Sequence, residues 1–416
     1  MDYRDRVLDA ALSAALRRTG AILIQGAKGC GKTSTAQRAA GSVVRVDVDP
    51  RVDMLMQTDP AQVLVGATPR LIDEWQRQPK LWDFVRRAVD DRGEPGQFIL
   101  TGSARPDDSV PRHSGAGRFA VLTLRPMTLW ESGVSDGTVS LTSIRQGADQ
   151  SLINPEPIPL IDWARLIARG GWPATLGQTL EDAMAYVADY ITLIADVDVA
   201  EVAGARRDPI KIRRLMASLA RNTASEASIT TMSQDAGGGD GAFKRETVAG
   251  YLDSLTRLMV VEPLPAWVTS LRDAARMRQA STWHFVDPSL AVALLQATPG
   301  KLVAEPKTLG LLFESLAVRD LRVYAEPDRG RLARFRDSAG REIDVVIEYP
   351  SGWIACEIKL GQGQVDQAAS KLCRFVDAVD TQTAGPCLAK LVVVGSGPGY
   401  TRPDGVQVVP LGSLRP

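Results

Sequence analysis

Over the first hundred residues, short apolar runs alternate with helical periodicity. Val7, Leu8, Ala11, Leu12, Ala15 and Leu16 recur at three- and four-residue spacings, which predicts an amphipathic helix over residues 3–19 that Gly20 stops. Residues 21–24 then read as a buried strand, 32–40 as a helix and 43–48 as a second strand. Leu71-Ile72 and Phe98-Ile99-Leu100 predict further core strands, with a helix around 81–90 between them. Strand and helix in alternation predict an α/β unit built on a parallel sheet.

The pattern then changes. Residues 132–160 are rich in Gly, Ser, Asp and Pro and predict a boundary or a long surface connection. Residues 161–222 are helical in period, broken at Gly170-Gly171-Trp172-Pro173. Residues 233–241, containing GGGDG, predict a flexible loop. Val248, Leu252, Leu255 and Leu258 mark a helix over 244–259, followed by a small β-ribbon between Val260-Val261 and Trp267-Val268. Two helices and a ribbon suggest a winged helix with 244–257 as its recognition helix. The last third predicts a helix near 309–323, strands near 343–348, 353–358 and 391–395, and a helix near 364–379. The expected division is an N-terminal unit over 1–155, a helical, winged-helix-like middle over 156–300 and a C-terminal α/β unit over 301–416, with no internal repeat.

Composition narrows the function classes. The chain has 416 residues, 44% hydrophobic and 24% charged, which fits a globular protein of several domains. Lys+Arg and Asp+Glu both number 49, so a globally basic nucleic-acid coat is excluded and any DNA contact must come from local patches. Cys30, Cys356, Cys373 and Cys387 form no C-x-x-C pair, which argues against a disulfide framework and fits a reducing cytoplasm. With only His113 and His284, a histidine-rich zinc site is excluded, and the chemistry should rest on carboxylates, lysine and metal ions. No apolar run is long enough to cross a bilayer and the first residues do not read as a leader, so a cytoplasmic protein without membrane association is expected.

Gly26-Ala27-Lys28-Gly29-Cys30-Gly31-Lys32-Thr33 satisfies G-x-x-x-x-G-K-[ST], between an apolar strand and a helix. The glycines let backbone N–H groups turn onto phosphate oxygens, and the following helix, from Lys32 through Ser34, points its positive end at the same anion. Lys32 supplies charge for the β- and γ-phosphates of ATP, and Thr33 a hydroxyl for Mg²⁺. In Leu71-Ile72-Asp73-Glu74, Asp73 would hold Mg²⁺ and Glu74 would polarise the attacking water. Thr101 or Ser103, ending the strand Phe98-Ile99-Leu100, would sense the γ-phosphate. Arg118 is the candidate arginine finger, acting in its own subunit or in a neighbour of a homo-oligomer.

A second constellation lies near the C-terminus. Alternation in Glu342-Ile343-Asp344-Val345-Val346-Ile347-Glu348, a turn at Pro350-Ser351-Gly352, and Trp353-Ile354-Ala355-Cys356-Glu357-Ile358-Lys359 together predict a hairpin. Glu357 and Lys359 are two apart on one strand and share a face. Asp344 beside them would complete a hard-oxygen site for Mg²⁺ or Mn²⁺, with Glu314 as a further acid and Gln367 as a phosphate contact. Between the two sites, Arg206, Arg207, Lys211, Arg213, Arg214 and Arg221, with Lys244 and Arg245 opening the next helix, form a basic stretch. Arg213, Arg214, Lys244 and Arg245 are its candidate DNA contacts.

With QGAKGCGKTS, LIDEWQRQP, FILTGSA, GRFAVLTLRPMTLWE, GGWP, WHFVDPSLA and FES…REIDVVIE…CEIKLG in view, the chain resembles a prokaryotic family of AAA+-type P-loop ATPases. Members of that family carry a C-terminal domain similar to PD-(D/E)XK restriction endonucleases. The resemblance implies that Asp344, Glu357 and Lys359 occupy the three catalytic positions and Glu314 the helix acid. Two departures are a Gly-rich insertion at residues 237–241 and Ile343 in place of the motif's proline. The expectation is an ATPase coupled to a DNA-directed, metal-dependent nuclease. The rival is a regulatory ATPase whose nuclease-like domain only binds DNA or a protein partner.

Overall fold

The computed structural model describes residues 3–102, 114–149, 151–203, 208–225, 228–238, 241–269, 281–337 and 340–416. Ser103, the candidate γ-phosphate sensor, and Arg206 and Arg207 of the basic stretch lie outside them. After the helix Val7–Leu16, strands β1 (Ala21–Gln25), β2 (Ser42–Arg45), β3 (Arg70–Asp73), β4 (Phe98–Gly102) and β5 (Phe119–Thr123) form one parallel sheet in the order β2-β3-β4-β1-β5. Leu8, Leu12, Ile22, Leu71 and Ile99 pack on one face; Trp75, Trp82, Val85, Phe98 and Leu100 pack on the other. Burial on both faces explains why these strands read as continuous apolar runs. Because the strands are parallel, their ends at Gln25, Asp73 and Gly102 share one edge, the usual ligand edge of such sheets. Arg118 precedes β5, whose Phe119 pairs with Ala21 at the start of β1, so it stands at the opposite edge.

Residues 132–160 are not a free connection. The short strand β6 (Val139–Ser140) pairs with the chain's last strand, the Asp136 amide donates to Gly412 O, and Ile153 bridges Gly399. Its Gly and Pro residues shape a strap bound to the C-terminal sheet, so the N-terminal unit ends well before residue 155.

The middle begins with helices Leu160–Arg169 and Leu180–Leu193, the latter continuing through a π-helical turn, Ile194–Asp198, into Val199–Ala203. Helices Pro209–Arg221, Ile229–Gly237 and Arg245–Arg257 precede an antiparallel ribbon of β7 (Val261–Leu264) and β8 (Thr282–Phe285). Two expectations change here. Ser233 through Gly237 are helical rather than loop, because Met232, Ser233 and Ala236 are buried and Phe243 N bonds Ser233 O. The ribbon pairs β7 with β8, not with Trp267-Val268. Trp267 instead packs on Trp353 and Phe375 of the C-terminal unit, its amide bonded to Arg334 O.

The C-terminal unit is a six-stranded mixed sheet. It comprises β9 (Arg331–Arg336), β10 (Glu342–Tyr349), β11 (Gly352–Lys359), β12 (Cys387–Val394), β13 (Tyr400–Thr401) and β14 (Val406–Pro410), in the order β13-β14-β12-β11-β10-β9. The last strand, β15 (Leu414–Arg415), is the partner of β6. Helix Val365–Ala378 covers one face, and the long helix Pro306–Ala325 covers the other. That second face is continuous with the middle: one buried cluster runs from Trp163 and Trp172 through Leu290 and Phe313 to Val393 and Leu414. The expected division near residue 300 therefore does not separate two cores. No helix among the described residues is long and apolar enough to cross a membrane.

Candidate functional site

The glycine-rich loop follows β1 and opens the helix Lys32–Ala39. Gly29 (φ +73°) and Gly31 (φ +102°) take left-handed backbone, which turns successive amides to one side. At Gly26 a Cβ would lie 2.1 Å from Leu124 O, so only glycine fits. The loop is braced from behind by the buried Arg6, whose Nη1 donates to Cys30 O (2.9 Å) and whose Nε meets Glu131 (3.1 Å). Cys30 Sγ reaches Leu124 O. Lys32 is only 6% exposed, and its ammonium donates to Gly26 O (3.0 Å) and Ala27 O (2.9 Å).

At the same edge, Asp73 (5% exposed) accepts from Thr33 Oγ1 at 3.0 Å and from Thr101 Oγ1 at 2.5 Å. The register that pairs Asp73 with Thr101 brings these three residues together. A hydroxyl and a carboxylate beside a phosphate loop are the hard-oxygen donors Mg²⁺ takes alongside phosphate oxygens, so the residues fit the nucleotide and its metal. Glu74 follows with left-handed backbone (φ +53°), its carboxylate bonded to Gln76 Nε2. Ser34 lines a cleft of about 420 Å³ beside the loop, with Tyr3, Thr35, Met127, Pro173 and Leu176. Arg118 does not join this group: its guanidinium pairs with Asp90 (2.8 Å) at the far edge of the sheet, which excludes a finger role in its own subunit.

Sequence reading missed what the middle module adds. Tyr186 Oη lies 2.8 Å from where a Gly29 Cβ would sit. Lys28 Nζ reaches Asp198 Oδ1 at 2.6 Å, and Arg77, three residues past Glu74, pairs with Glu201 at 2.9 Å. These partners stand more than a hundred residues away in sequence, and no local pattern marks them.

In the C-terminal unit Asp344, Glu357 and Lys359 converge. Lys359 Nζ is 2.8 Å from Asp344 Oδ2 and 2.9 Å from Glu357 Oε2; Asp344 also accepts from the Ile358 amide at 2.9 Å. A bulge between Ile343 and Val346 shifts the β9–β10 register at Asp344. Glu357 is fully buried, and burial, then Asp344, push its carboxyl above the usual range despite the lysines. Glu314, on the long helix, is pushed well above that range by burial and then by Asp344. Burial opposes the Lys359 charge, but Asp344 and Glu357 outweigh it and hold its proton above the ordinary lysine range.

Lys371, one turn after the expected Gln367, supplies a second ammonium, 2.9 Å from Glu357 Oε1; Gln367 itself is exposed. Among the described residues, no group of three or more acidic, histidine or cysteine side chains is disposed to hold a metal ion. The expected ligand set of Glu314, Asp344 and Glu357 is thus reduced to two carboxylates clamped by two lysines. Glu314, Asp344, Arg334 and Arg336 line a cleft of about 290 Å³ that also touches Ser225 and Thr282 of the middle module. In the basic stretch Arg213 pairs with Asp196 (2.6 Å) and Arg221 with Asp235 (3.4 Å); Arg214, Lys244 and Arg245 are solvent-exposed residues.

Comparison with known proteins divides the chain in three. A family described as "AAA domain" matches residues 18–132, and two families described as domains of unknown function, DUF8612 and DUF4143, match 160–301 and 309–414. The first match supports an AAA-type ATPase domain at the N-terminus. The uncharacterized proteins Rv2008c of Mycobacterium tuberculosis and Mb2031c of Mycobacterium bovis are each 27% identical over 84% of this chain and 72% of their own length. Among solved structures, protein VC1899 from Vibrio cholerae aligns over 94% of each chain at 9% identity. Its TM-score of 0.16 is too low to show a shared fold.

Proposed function

We propose that the protein is an ATP-hydrolysing switch whose nucleotide state acts on a DNA-directed, metal-dependent nuclease-like centre. The observation that carries the ATPase half is the convergence of Thr33, Asp73 and Thr101 beside the glycine loop, at the edge where parallel sheets receive ligands. The loop amides and Lys32 would hold the triphosphate, Thr33 and Asp73 would hold Mg²⁺, and Glu74 would orient the attacking water. Held there, Mg²⁺ would offset charge on the β- and γ-phosphates. The cleft containing Ser34 and Met127 offers an apolar wall to the nucleobase. Hydrolysis of Mg²⁺–ATP by the full chain, lost in Asp73→Asn, is the expected result; turnover equal in both would reject this site.

For the C-terminal half, the convergence of Asp344, Glu357 and Lys359 supports phosphodiester hydrolysis. Two carboxylates with substrate phosphate are a sufficient oxygen set for Mg²⁺ or Mn²⁺, which would supply a bound water of lowered pKa. Arg214, Lys244 and Arg245, on helices preceding the ribbon, would meet the DNA backbone. Metal-dependent cleavage of DNA by the wild type, absent in Lys359→Ala, is expected, and equal cleavage by both would reject the centre. The clamping of both carboxylates by Lys359 and Lys371 favours a second reading, a module that binds DNA or a protein without cutting it. Calorimetric titration with Mn²⁺ separates the two: heat that disappears in Glu357→Ala supports the nuclease, and its absence in the wild type supports the binding module.

A further inference from the structure

The nucleotide site is bridged to the middle module by two ion pairs that end on neighbouring turns of one helical segment. Lys28 from the glycine loop meets Asp198, and Arg77 from the segment after Glu74 meets Glu201. Lys28 lies between Gly26 and Gly29, in the loop whose left-handed glycines turn successive amides to one side, so its ammonium stands in the neighbourhood a phosphate chain would occupy. Asp198 is 5% exposed, and Lys28 donates to it at 2.6 Å. It ends the π-helical turn Ile194–Asp198, where one extra residue is accommodated in the winding.

Resting on the reading of the N-terminal unit as an ATPase, we propose that Lys28 is a second phosphate-binding cation and that Asp198 holds it in reserve. Occupancy of the loop by nucleotide is then exchanged for the ion pair that ties the middle module to it. Mg²⁺ and Lys32 together would offset only part of a triphosphate's charge, and Arg118 stands at the wrong edge of the sheet to help. When Lys28 turns to phosphate, Asp198 is left as a buried charge without its counterion, a strongly unfavourable state. The segment relieves it by moving, and a π turn supplies the slack: rewinding to α geometry shifts the register of the residues before it by one position. A movement that begins at Asp198 passes to helix Leu180–Leu193, which carries Tyr186 over Gly29 and packs against the rest of the middle module. The latch thus gives the ATPase a direct mechanical output.

The test uses the full chain with Asp198→Asn and Lys28→Met, titrated with Mg²⁺–ADP and a non-hydrolysable ATP analogue, and hydrogen exchange across residues 194–203 with and without the analogue. Asp198→Asn frees the cation and should tighten analogue binding by about tenfold, with exchange at 194–203 already fast in the nucleotide-free protein. Lys28→Met removes the cation and should weaken binding by about as much, with exchange that no longer responds to nucleotide. Affinity changes of the same sign in both variants would overturn the latch, because a purely structural contact moves both the same way. A wild type that binds the analogue with unchanged exchange at 194–203 overturns the latch alone; a wild type that binds no nucleotide overturns the ATPase reading with it.

Discussion

Replacing Arg319 with methionine should unlock the interior contact that joins all three parts of the chain. Arg319 Nη1 lies 2.7 Å from Asp287 Oδ2 and Nη2 2.7 Å from Asp320 Oδ1, with all three side chains buried. Asp287 also accepts from the Gly171 amide (2.9 Å), and Asp320 from the Leu129 amide (3.0 Å), so the network ties the GGWP turn and the end of the N-terminal unit to the long helix. Removing one partner of a buried ion pair costs about 3–5 kcal/mol. Two carboxylates lose their countercharge here, but both keep backbone donors, and one can take up a proton. The net loss should therefore be about 4 kcal/mol rather than twice that, a fall in melting temperature on the order of 10 °C. Burial holds the Asp320 carboxyl above its usual range even with Arg319 beside it. A carboxyl raised in the folded state favours folding while protonated and loses that contribution as pH rises through its folded value. Deleting Arg319 raises it further, so the deficit measured by calorimetry at about pH 7.5 should shrink at about pH 5.5. A deficit below about 1 kcal/mol at the higher pH, or one that widens toward acid, would refute the reasoning.

Gly26→Ala puts a Cβ 2.1 Å from Leu124 O and 2.9 Å from Cys30 Sγ. Neither the backbone nor the buried thiol can yield, so stability should fall by about 1–3 kcal/mol and ATP binding should be lost; unchanged affinity in a nucleotide titration would contradict the loop geometry. Arg118→Ala should leave ATP turnover at a fixed protein concentration unchanged, since it pairs with Asp90 at the edge of the sheet opposite the glycine-rich loop. A loss that deepens on dilution would restore a role for it in a neighbouring subunit. Lys359→Met removes the first attraction that holds the Glu357 carboxyl down against burial and Asp344. Glu357 should then rise further, and Mn²⁺ binding followed by calorimetry should weaken more steeply toward acid than in the wild type; parallel pH profiles would argue against a shared site.

The chain's local signals were enough to bring two candidate clusters of polar side chains into view. A strand, a glycine-rich turn and a helix in succession fix the phosphate loop, because the conformations they need are set by neighbours in sequence. Asp344, Glu357 and Lys359 were also legible, since strand alternation and a short turn dictate which residues of a hairpin share a face. Local pattern failed where a residue's role depends on what packs against it from elsewhere. Arg118 looked like a finger until the parallel register placed it at the amino edge of the sheet. Residues 132–160 looked like a linker until β15 and Gly412 paired with them. Trp267 looked like ribbon until Trp353 and Phe375 claimed it. Lys371 entered the carboxylate cluster from a separate helix. Asp198 and Glu201 reach Lys28 of the glycine-rich loop and Arg77 from a helical segment beyond the strap. Sequence specifies torsional preference and facing over a few residues; which distant charges meet is decided by the close packing of a core that runs unbroken from the middle helices to the last strand.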